Sequence, residues 1–400
     1  MDRLSRIERD AVTRAGAEPM LAQVEAWAAI NSGSRNLDGL ARMAAVYADA
    51  FGALGEAKLT DPDRVEAMAG DGALQPLPHG RHLHLTVRPE APVQLLFTGH
   101  MDTVYAADHL FQETSWREPG VLGGPGVADM KGGIAVLLSA LKAVEASPVA
   151  ERLGYEVVIN SDEEVGSPSS AALIARVARG KRAALTYEPA SRPDGTLAGA
   201  RPGSGNFSIR VEGRSAHAGR NPADGRNAVV AAAALAVRLA DAVRPGLSVN
   251  VARIEGGGPN NVVPDHAVLR VNMRPVTAAD EAQATGLLRT AVDAIAAHHD
   301  VVCALHGGFG RPPKPLTAAD ESLFGLVRSA GADLGQVVGW QNSGGVCDGN
   351  NIAACGVPVV DTMGVRGGAI HSTDEYLIVD SLVERAALSA VTILRLAAGA

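Results

Sequence analysis

The stretch Tyr155-Glu156-Val157-Val158-Ile159-Asn160-Ser161-Asp162-Glu163-Glu164-Val165-Gly166-Ser167-Pro168 decides how the chain is read. Its first five residues form a mostly apolar β-type run. Ser167-Pro168 reads as a serine cap with proline at the first position of a helix. Two adjacent carboxylates, Glu163 and Glu164, therefore stand where a strand ends and a helix begins. Neighbouring side chains of an extended segment point to opposite sides, so the two acids are expected to have different tasks. One suits a metal ion and the other proton transfer to a substrate. Alone, the pair would sooner describe a solvated acidic turn, so its partners in the chain matter.

Those partners sit at the ends of other strands. Residues 81–88 alternate with Leu83, Leu85 and Val87 on one face, and the apolar run 94–98 leads into Gly99-His100-Met101-Asp102. Gly126-Val127-Ala128-Asp129-Met130-Lys131-Gly132-Gly133 precedes a helix with Ile134, Leu137, Leu138 and Leu141 at helical spacing. The strand 182–186 ends at Tyr187-Glu188-Pro189. Helices are expected over 19–30, 37–54 and 168–178. Alternating strands and helices predict an α/β fold, an open and mostly parallel sheet flanked by helices. Ligands of such sheets bind beyond the carboxyl ends of the strands. His100, Asp102, Asp129, Glu163, Glu164 and Glu188 all fall there.

The texture changes near Pro202-Gly203-Ser204-Gly205. Strands over 206–212, 247–255, 267–273 and 301–305, with helices over 222–242 and 278–298, give the order β-α-β-β-α-β, a ferredoxin-like α+β unit. The α/β pattern resumes with a helix over 318–334, strands over 337–340 and 358–361, the loop to His371 and a helix over 380–397. The expected organisation is a discontinuous domain, 1–202 and 308–400, with an inserted domain at 203–307. Two domains also suit a chain of 400 residues.

Composition excludes several functions. The formal charge is −8 and the 36 basic residues are scattered, which argues against a nucleic-acid partner. Cys303, Cys347 and Cys355 have no C-x-x-C spacing, which favours a reducing compartment and disfavours a cysteine zinc site. Met1 to Asp10 lacks an apolar core of the secretory type, and the longest apolar tract, 228–237, is too short to span a bilayer. The expectation is a cytoplasmic enzyme with no membrane partner.

Charge balance then points to metals. Asp129, Glu163, Glu164 and Glu188 gathered without cations would repel one another. Two divalent ions are balanced by three ligating carboxylates and a bridging hydroxide, leaving the fourth carboxylate free as a base. Histidine and carboxylate ligands suit zinc, with cobalt or manganese able to substitute. His100 and Asp102, two apart, share a side in extended geometry, as a ligand histidine and its carboxylate partner do.

Gly99-His100-Met101-Asp102-Thr103-Val104, Gly124 to Gly133 and Asp162-Glu163-Glu164-Val165-Gly166-Ser167 resemble motifs of one family. It is the dinuclear zinc peptidase family of carboxypeptidase G, aminoacylase and the acetylornithine and succinyl-diaminopimelate deacylases. Glu188, Ser215-Ala216-His217-Ala218-Gly219, Asn260-Asn261-Val262-Val263-Pro264 and Gly368-Ala369-Ile370-His371-Ser372 extend the resemblance over nearly the whole chain. It implies a zinc-exopeptidase type of fold whose inserted domain serves as lid and dimerisation domain. By motif, His100 and Glu188 would hold one metal, Glu164 and His371 the other, and Asp129 both. Asp102 would orient His100, and Glu163 would be the general base. The Asp129–Met130 peptide is commonly cis in the family. His217 would reach across a homodimer to the substrate carbonyl, and Arg274, with Asn261 nearby, would bind the substrate's carboxylate.

The motifs around His100 and Arg274 resemble those of carboxypeptidase G, which releases C-terminal glutamate from acylated substrates. Cys347, in Ser343-Gly344-Gly345-Val346-Cys347-Asp348, stands where that group has threonine. The function expected is hydrolysis of the amide bond of an N-acyl amino acid or C-terminal residue, on a small-molecule or peptide substrate with a free carboxylate. An N-acyl or N-carbamoyl amino-acid amidohydrolase of the same fold is the alternative. A catalytically dead metal-binding scaffold is the remote one, since ligands, base and orienting aspartate are all present.

Overall fold

A computed structural model of the chain describes residues 4–399. The chain forms two units: Met1–Asp63, His79–Ala200 and Leu316–Ala400 in the first, Arg64–Pro78 and Arg201–Pro315 in the second.

The first unit is built on a six-stranded sheet: β1 (Ala57–Thr60), β2 (His82–Val87), β3 (Val93–His100), β4 (Leu153–Asn160), β5 (Ala183–Thr186) and β6 (Val359–Val360), in the order β1-β2-β4-β3-β5-β6. Strands β3 to β6 are parallel, while β2 runs antiparallel to both β1 and β4. The central strands have the near-continuous apolar sequence expected where both faces are covered. Leu95, Phe97, Val157, Ile159 and Leu185 belong to the larger core, shared with helices Gly133–Glu145 and Asp380–Ala398. Their alternates Leu96, Val158 and Ala184 pack instead with Leu173, Ile174 and Val177 of helix Ala171–Ala178. The period of two along each strand thus feeds helical layers on both faces. Register aligns the carboxyl ends: His100 pairs with Asn160, and Thr98 with Thr186.

Several local expectations are corrected. Glu163–Val165 is a 3₁₀ turn, followed by left-handed Gly166 (φ 95°) and Ser167 (φ 56°). The next helix begins only at Ala171, with Ser170 at its N-cap, so Ser167-Pro168 is not a cap and first turn. The Ser167 hydroxyl instead donates to Asp348, at a separation of 2.5 Å. The strands expected over 337–340 and 358–361 shrink to Trp340–Gln341 and Val359–Val360. The helix expected over 222–242 spans Ala228–Ala240, where Asn227 caps it by accepting from the Val230 amide at 3.0 Å. The stretch Met1 to Asp10, without a secretory apolar core, runs into helix Arg6–Gly16, and its residues 1–3 lie outside the described residues.

The second unit has four antiparallel strands, Ser204–Glu212, Leu247–Gly256, His266–Pro275 and Val302–Arg311. Numbered in chain order, they lie 2-3-1-4 across the sheet, the ferredoxin-like arrangement. Helices Ala228–Ala240 and Ala278–His299 cover one face through Ala231, Leu235, Leu239, Leu288, Val292 and Ile295. The hairpin of Glu66–Met68 and Leu74–Pro76 also belongs to this unit, although its place in the chain suggested the first. Side-chain to backbone bonds hold it there. Arg270 donates to the Met68 carbonyl at 2.9 Å, and His266 and His306 meet the Gly70 and Glu66 carbonyls at 3.0 and 3.2 Å. Among the described residues, no helix is long and apolar enough to cross a membrane.

Candidate metal centre and active site

The strand ends of the first unit deliver the donors. His100 is the last residue of β3, the Glu163-Glu164 turn follows β4, and Glu188 follows β5. Asp129 comes from the glycine-bounded turn before helix Gly133–Glu145, where the Asp129–Met130 peptide is cis. His371 lies in the loop after Gly367–Gly368, in left-handed conformation at φ 64°. His100 is buried, whereas the His371 side chain is 52% exposed, so the cluster meets solvent on the His371 side.

Asp129 is the centre of the arrangement. His100 Nε2 lies 3.1 Å from Asp129 Oδ1, and His371 Nε2 lies 3.3 Å from Oδ2 and 3.1 Å from Glu164 Oε2. Glu188 Oε2 is 3.8 Å from His100 Nε2. Ligand atoms of His100, Asp129 and Glu164 fall within 4.8 Å of one another, as do those of His100, Glu163 and Glu188. Glu163 thus stands within reach of a metal.

The donor chemistry fits cations here. His100 Nδ1 is 2.9 Å from the Asp102 main-chain carbonyl, an acceptor, so Nδ1 carries a proton and a neutral ring would offer only a lone pair at Nε2. That lone pair faces a carboxylate oxygen, also an acceptor, and only a cation between or on them makes the contact favourable. Protons show the same demand. Burial opposes charge on His100, yet Glu188, Asp102 and Asp129 hold it protonated well above the usual histidine range. Hydrogen bonds to Asp129 and Glu164 lift His371 to about 11. Asp129 stays below the usual carboxylate range despite its burial, because both imidazoles face it. Burial and the neighbouring Asp129 push Glu164 well up.

Asp102 does more than face His100. Its carboxylate is 3.4 Å from His100 Nδ1, farther than its own carbonyl. It accepts the Glu163 and Glu164 amides at 3.1 and 3.2 Å and the Ser34 hydroxyl at 2.7 Å. The divergence of Glu163 and Glu164 therefore arises on a 3₁₀ turn, about 120° per residue, rather than on the extended segment expected.

His217, Asn261 and Arg274 lie on the second unit. His217 and Asn261 occupy adjoining loops, joined by the Ala218 amide donating to the Asn261 carbonyl at 2.9 Å. His217 is exposed, and its Nδ1 accepts the Gly219 and Arg220 amides at 3.1 Å each, leaving Nε2–H as the donor. Arg274 Nε donates to Asn272 Oδ1 at 3.0 Å. Cys347 is buried and caps helix Asp348–Ala353, its sulfur 3.4 Å from the Gly349 amide.

Sequence reading missed three contributors. Ser34 lies in what read as a linker between helices. Glu375 and Tyr105 sit behind Asp129, Glu375 buried and Tyr105 donating to it at 2.8 Å. The available signal was an acid directly before the strand Tyr376–Ile378, where an apolar residue would be ordinary.

Comparisons with known proteins place the chain in a family. Carboxypeptidase G2 of Pseudomonas sp. (strain RS-16) is 31% identical over 313 residues, covering 76% of this chain and 74% of that protein. A succinyl-diaminopimelate desuccinylase of Psychrobacter arcticus is 28% identical over 315 residues, 72% of this chain and 74% of its own. The crystal structure of a metallo-carboxypeptidase from Sulfolobus solfataricus shares the fold, with a TM-score of 0.72 at 15% identity over 95% of this chain and all of that one. A family model matches residues 96–395, from within the strand that carries His100 into the last helix, and so the chain belongs to peptidase family M20/M25/M40 and is a metal-dependent hydrolase.

Proposed function

We propose that the enzyme hydrolyses the amide bond between an acyl group and an amino acid with a free carboxylate, glutamate foremost. The observation that carries this reading is a carboxylate in excess. Asp129 faces both imidazoles, Glu164 and Glu188 each flank one, and Glu163 remains beside His100 and Glu188. Two divalent ions, zinc first, would be held by His100, Glu188 and Asp129 and by Glu164, His371 and Asp129. When bound, they supply Lewis-acid polarisation of the carbonyl and a more acidic water.

The remaining work belongs to the chain. The Glu163 carboxylate accepts the proton of the attacking water and hands it to the leaving nitrogen. Asp102 fixes Glu163 relative to Glu164 by accepting both their amides. His217 offers its Nε2–H to the oxygen on which charge develops. Arg274 pairs with the substrate carboxylate, with Asn261 next to His217. The likeness to a succinyl-diaminopimelate desuccinylase favours an N-acyl amino-acid deacylase as the second reading; an N-carbamoyl hydrolase would use the same residues.

A hydrolysis screen of the zinc-loaded protein tests the reading. N-acyl and γ-linked glutamates should turn over fastest among carboxylate-bearing amides, dipeptides and N-carbamoyl amino acids. Preference for N-succinyl or N-carbamoyl substrates favours the second reading, and hydrolysis of none of them defeats both.

A cytoplasmic homodimer completes the proposal. Strand Leu247–Gly256 is a sheet edge, and Val230 and Val237 are exposed on the helix packed beside it. A second copy would extend the sheet and cover these side chains. If His217 acts across that interface, a His217→Ala chain mixed with a Glu163→Gln chain forms one intact site per heterodimer. Activity should return to as much as half the wild-type level; confirmed subunit exchange without recovery rejects action in trans.

A further inference from the structure

We infer that Glu375, with Tyr105, is a positioning residue for Asp129 and His371, a role that rests on the reading of those two as metal ligands. The Glu375 side chain is buried against the backbone of the turn that carries Asp129. Its Oε1 accepts the Ala128 and Asp129 amides, each at 3.0 Å, and its Oε2 accepts the Gly126 amide at 3.2 Å. One carboxylate thus gathers three main-chain donors from four consecutive residues ending at Asp129. The Tyr105 hydroxyl stands between Glu375 Oε2, at 2.8 Å, and the Ser372 carbonyl, at 2.7 Å. Ser372 follows His371 directly, and the Glu375 amide donates back to the Ser372 carbonyl at 3.1 Å. Glu375 and Tyr105 therefore tie the turn carrying Asp129 to the loop carrying His371, fixing two side chains that must converge on one ion.

Only a carboxylate satisfies this geometry. Each oxygen accepts at least one amide, and Oε2 also meets the tyrosine hydroxyl. Glutamine keeps the length but replaces one oxygen by an NH₂ group, a donor facing donors. The Gly126 amide would then lose its acceptor and the Tyr105 hydroxyl would turn to the Ser372 carbonyl, and the Asp129 turn would relax away from His371. Supporting groups around metal ligands typically carry 10- to 100-fold in metal affinity or activity.

The test is a cobalt titration of the metal-stripped full-length protein, read by visible absorption, alongside kcat, KM and the unfolding transition. Glu375→Gln should bind cobalt about 10- to 100-fold more weakly and lose kcat at fixed metal. Excess metal should restore much of that kcat, with KM little changed. Tyr105→Phe, which removes one hydroxyl, should weaken cobalt binding by about 3- to 10-fold in the same direction. A purely structural Glu375 would lower the unfolding midpoint while leaving cobalt affinity and kcat per folded molecule unchanged, and that result overturns the inference. If Glu375→Gln does not fold, Tyr105→Phe decides: unchanged cobalt affinity there overturns it as well. Asp129→Asn separates the two levels. If that variant binds cobalt normally the ligand reading fails, whereas if it loses cobalt and Glu375→Gln does not, only the role of Glu375 fails.

Discussion

Carboxylates near the chain ends of the first unit and those at its strand ends balance their charge by different means. Near the chain ends, Arg395 donates to Glu8 at 2.7 Å and to Asp333 at 2.8 Å. At the strand ends, Asp129 faces the imidazoles of His100 and His371. A guanidinium keeps its charge at every accessible pH and offers no lone pair, so it fastens the helices and does nothing else. An imidazole is charged only conditionally and, once deprotonated, becomes a metal ligand. On the proposed reading, burial of carboxylate serves stability in the first of these regions and chemistry in the second.

The sharpest way to break this contrast is to remove the metal. Exhaustive chelation should abolish hydrolysis, and zinc or cobalt should restore it, with close to two ions bound per chain by direct analysis. Full activity in the stripped protein would mean that the imidazole cluster is merely a second salt-bridge network.

Within the cluster, the neighbouring glutamates should separate. Glu163→Gln should keep both metals and lose about 10²- to 10⁴-fold in kcat, the usual weight of a general base. Glu164→Gln should chiefly weaken metal binding, since Glu164 lies 3.1 Å from His371 Nε2. Because Glu163 is also within ligand distance of His100 and Glu188, metal analysis has to accompany the kinetics. Equal metal loss in the two variants would show that both acids are ligands.

The strand-end donors were legible because their chemistry sits in short local motifs. Apolar runs end abruptly at His100, at Asn160 before the two glutamates, and at Thr186 before Glu188, so fold and site were read from the same residues. What escaped depends on distant partners. The hairpin Glu66–Met68 and Leu74–Pro76 carries no sign that Arg270, His266 and His306 hold its carbonyls. Glu375 looked like one acid among four polar residues, because the amides it accepts lie about 250 positions earlier. Ser167-Pro168 misled for the opposite reason. Its local pattern suits a helix start, but Asp348 claims the serine hydroxyl and the helix begins three residues after Pro168.

The smallest effect belongs to the arginine side of the comparison and tests it most narrowly. Glu8 accepts the Ser5 amide at 2.6 Å, completing a capping box on helix Arg6–Gly16, as well as the Arg395 guanidinium. Burial alone would raise the Glu8 carboxyl, but the Arg395 and Ser5 bonds prevail and hold it below the usual range. A lowered folded pKa means that the carboxylate stabilises the fold above the unfolded value, about 4.3. That contribution fades as pH falls through the lowered folded value. Glu8→Gln, which keeps shape and removes charge, should therefore cost about 1 kcal/mol near pH 7, measured by denaturant unfolding, with kcat and metal content unchanged. The gap between wild type and variant should shrink as the pH is taken below about 4. A gap that is independent of pH would show that the charge of Glu8 contributes nothing. A change in kcat would show that the two carboxylate regions are coupled rather than separate.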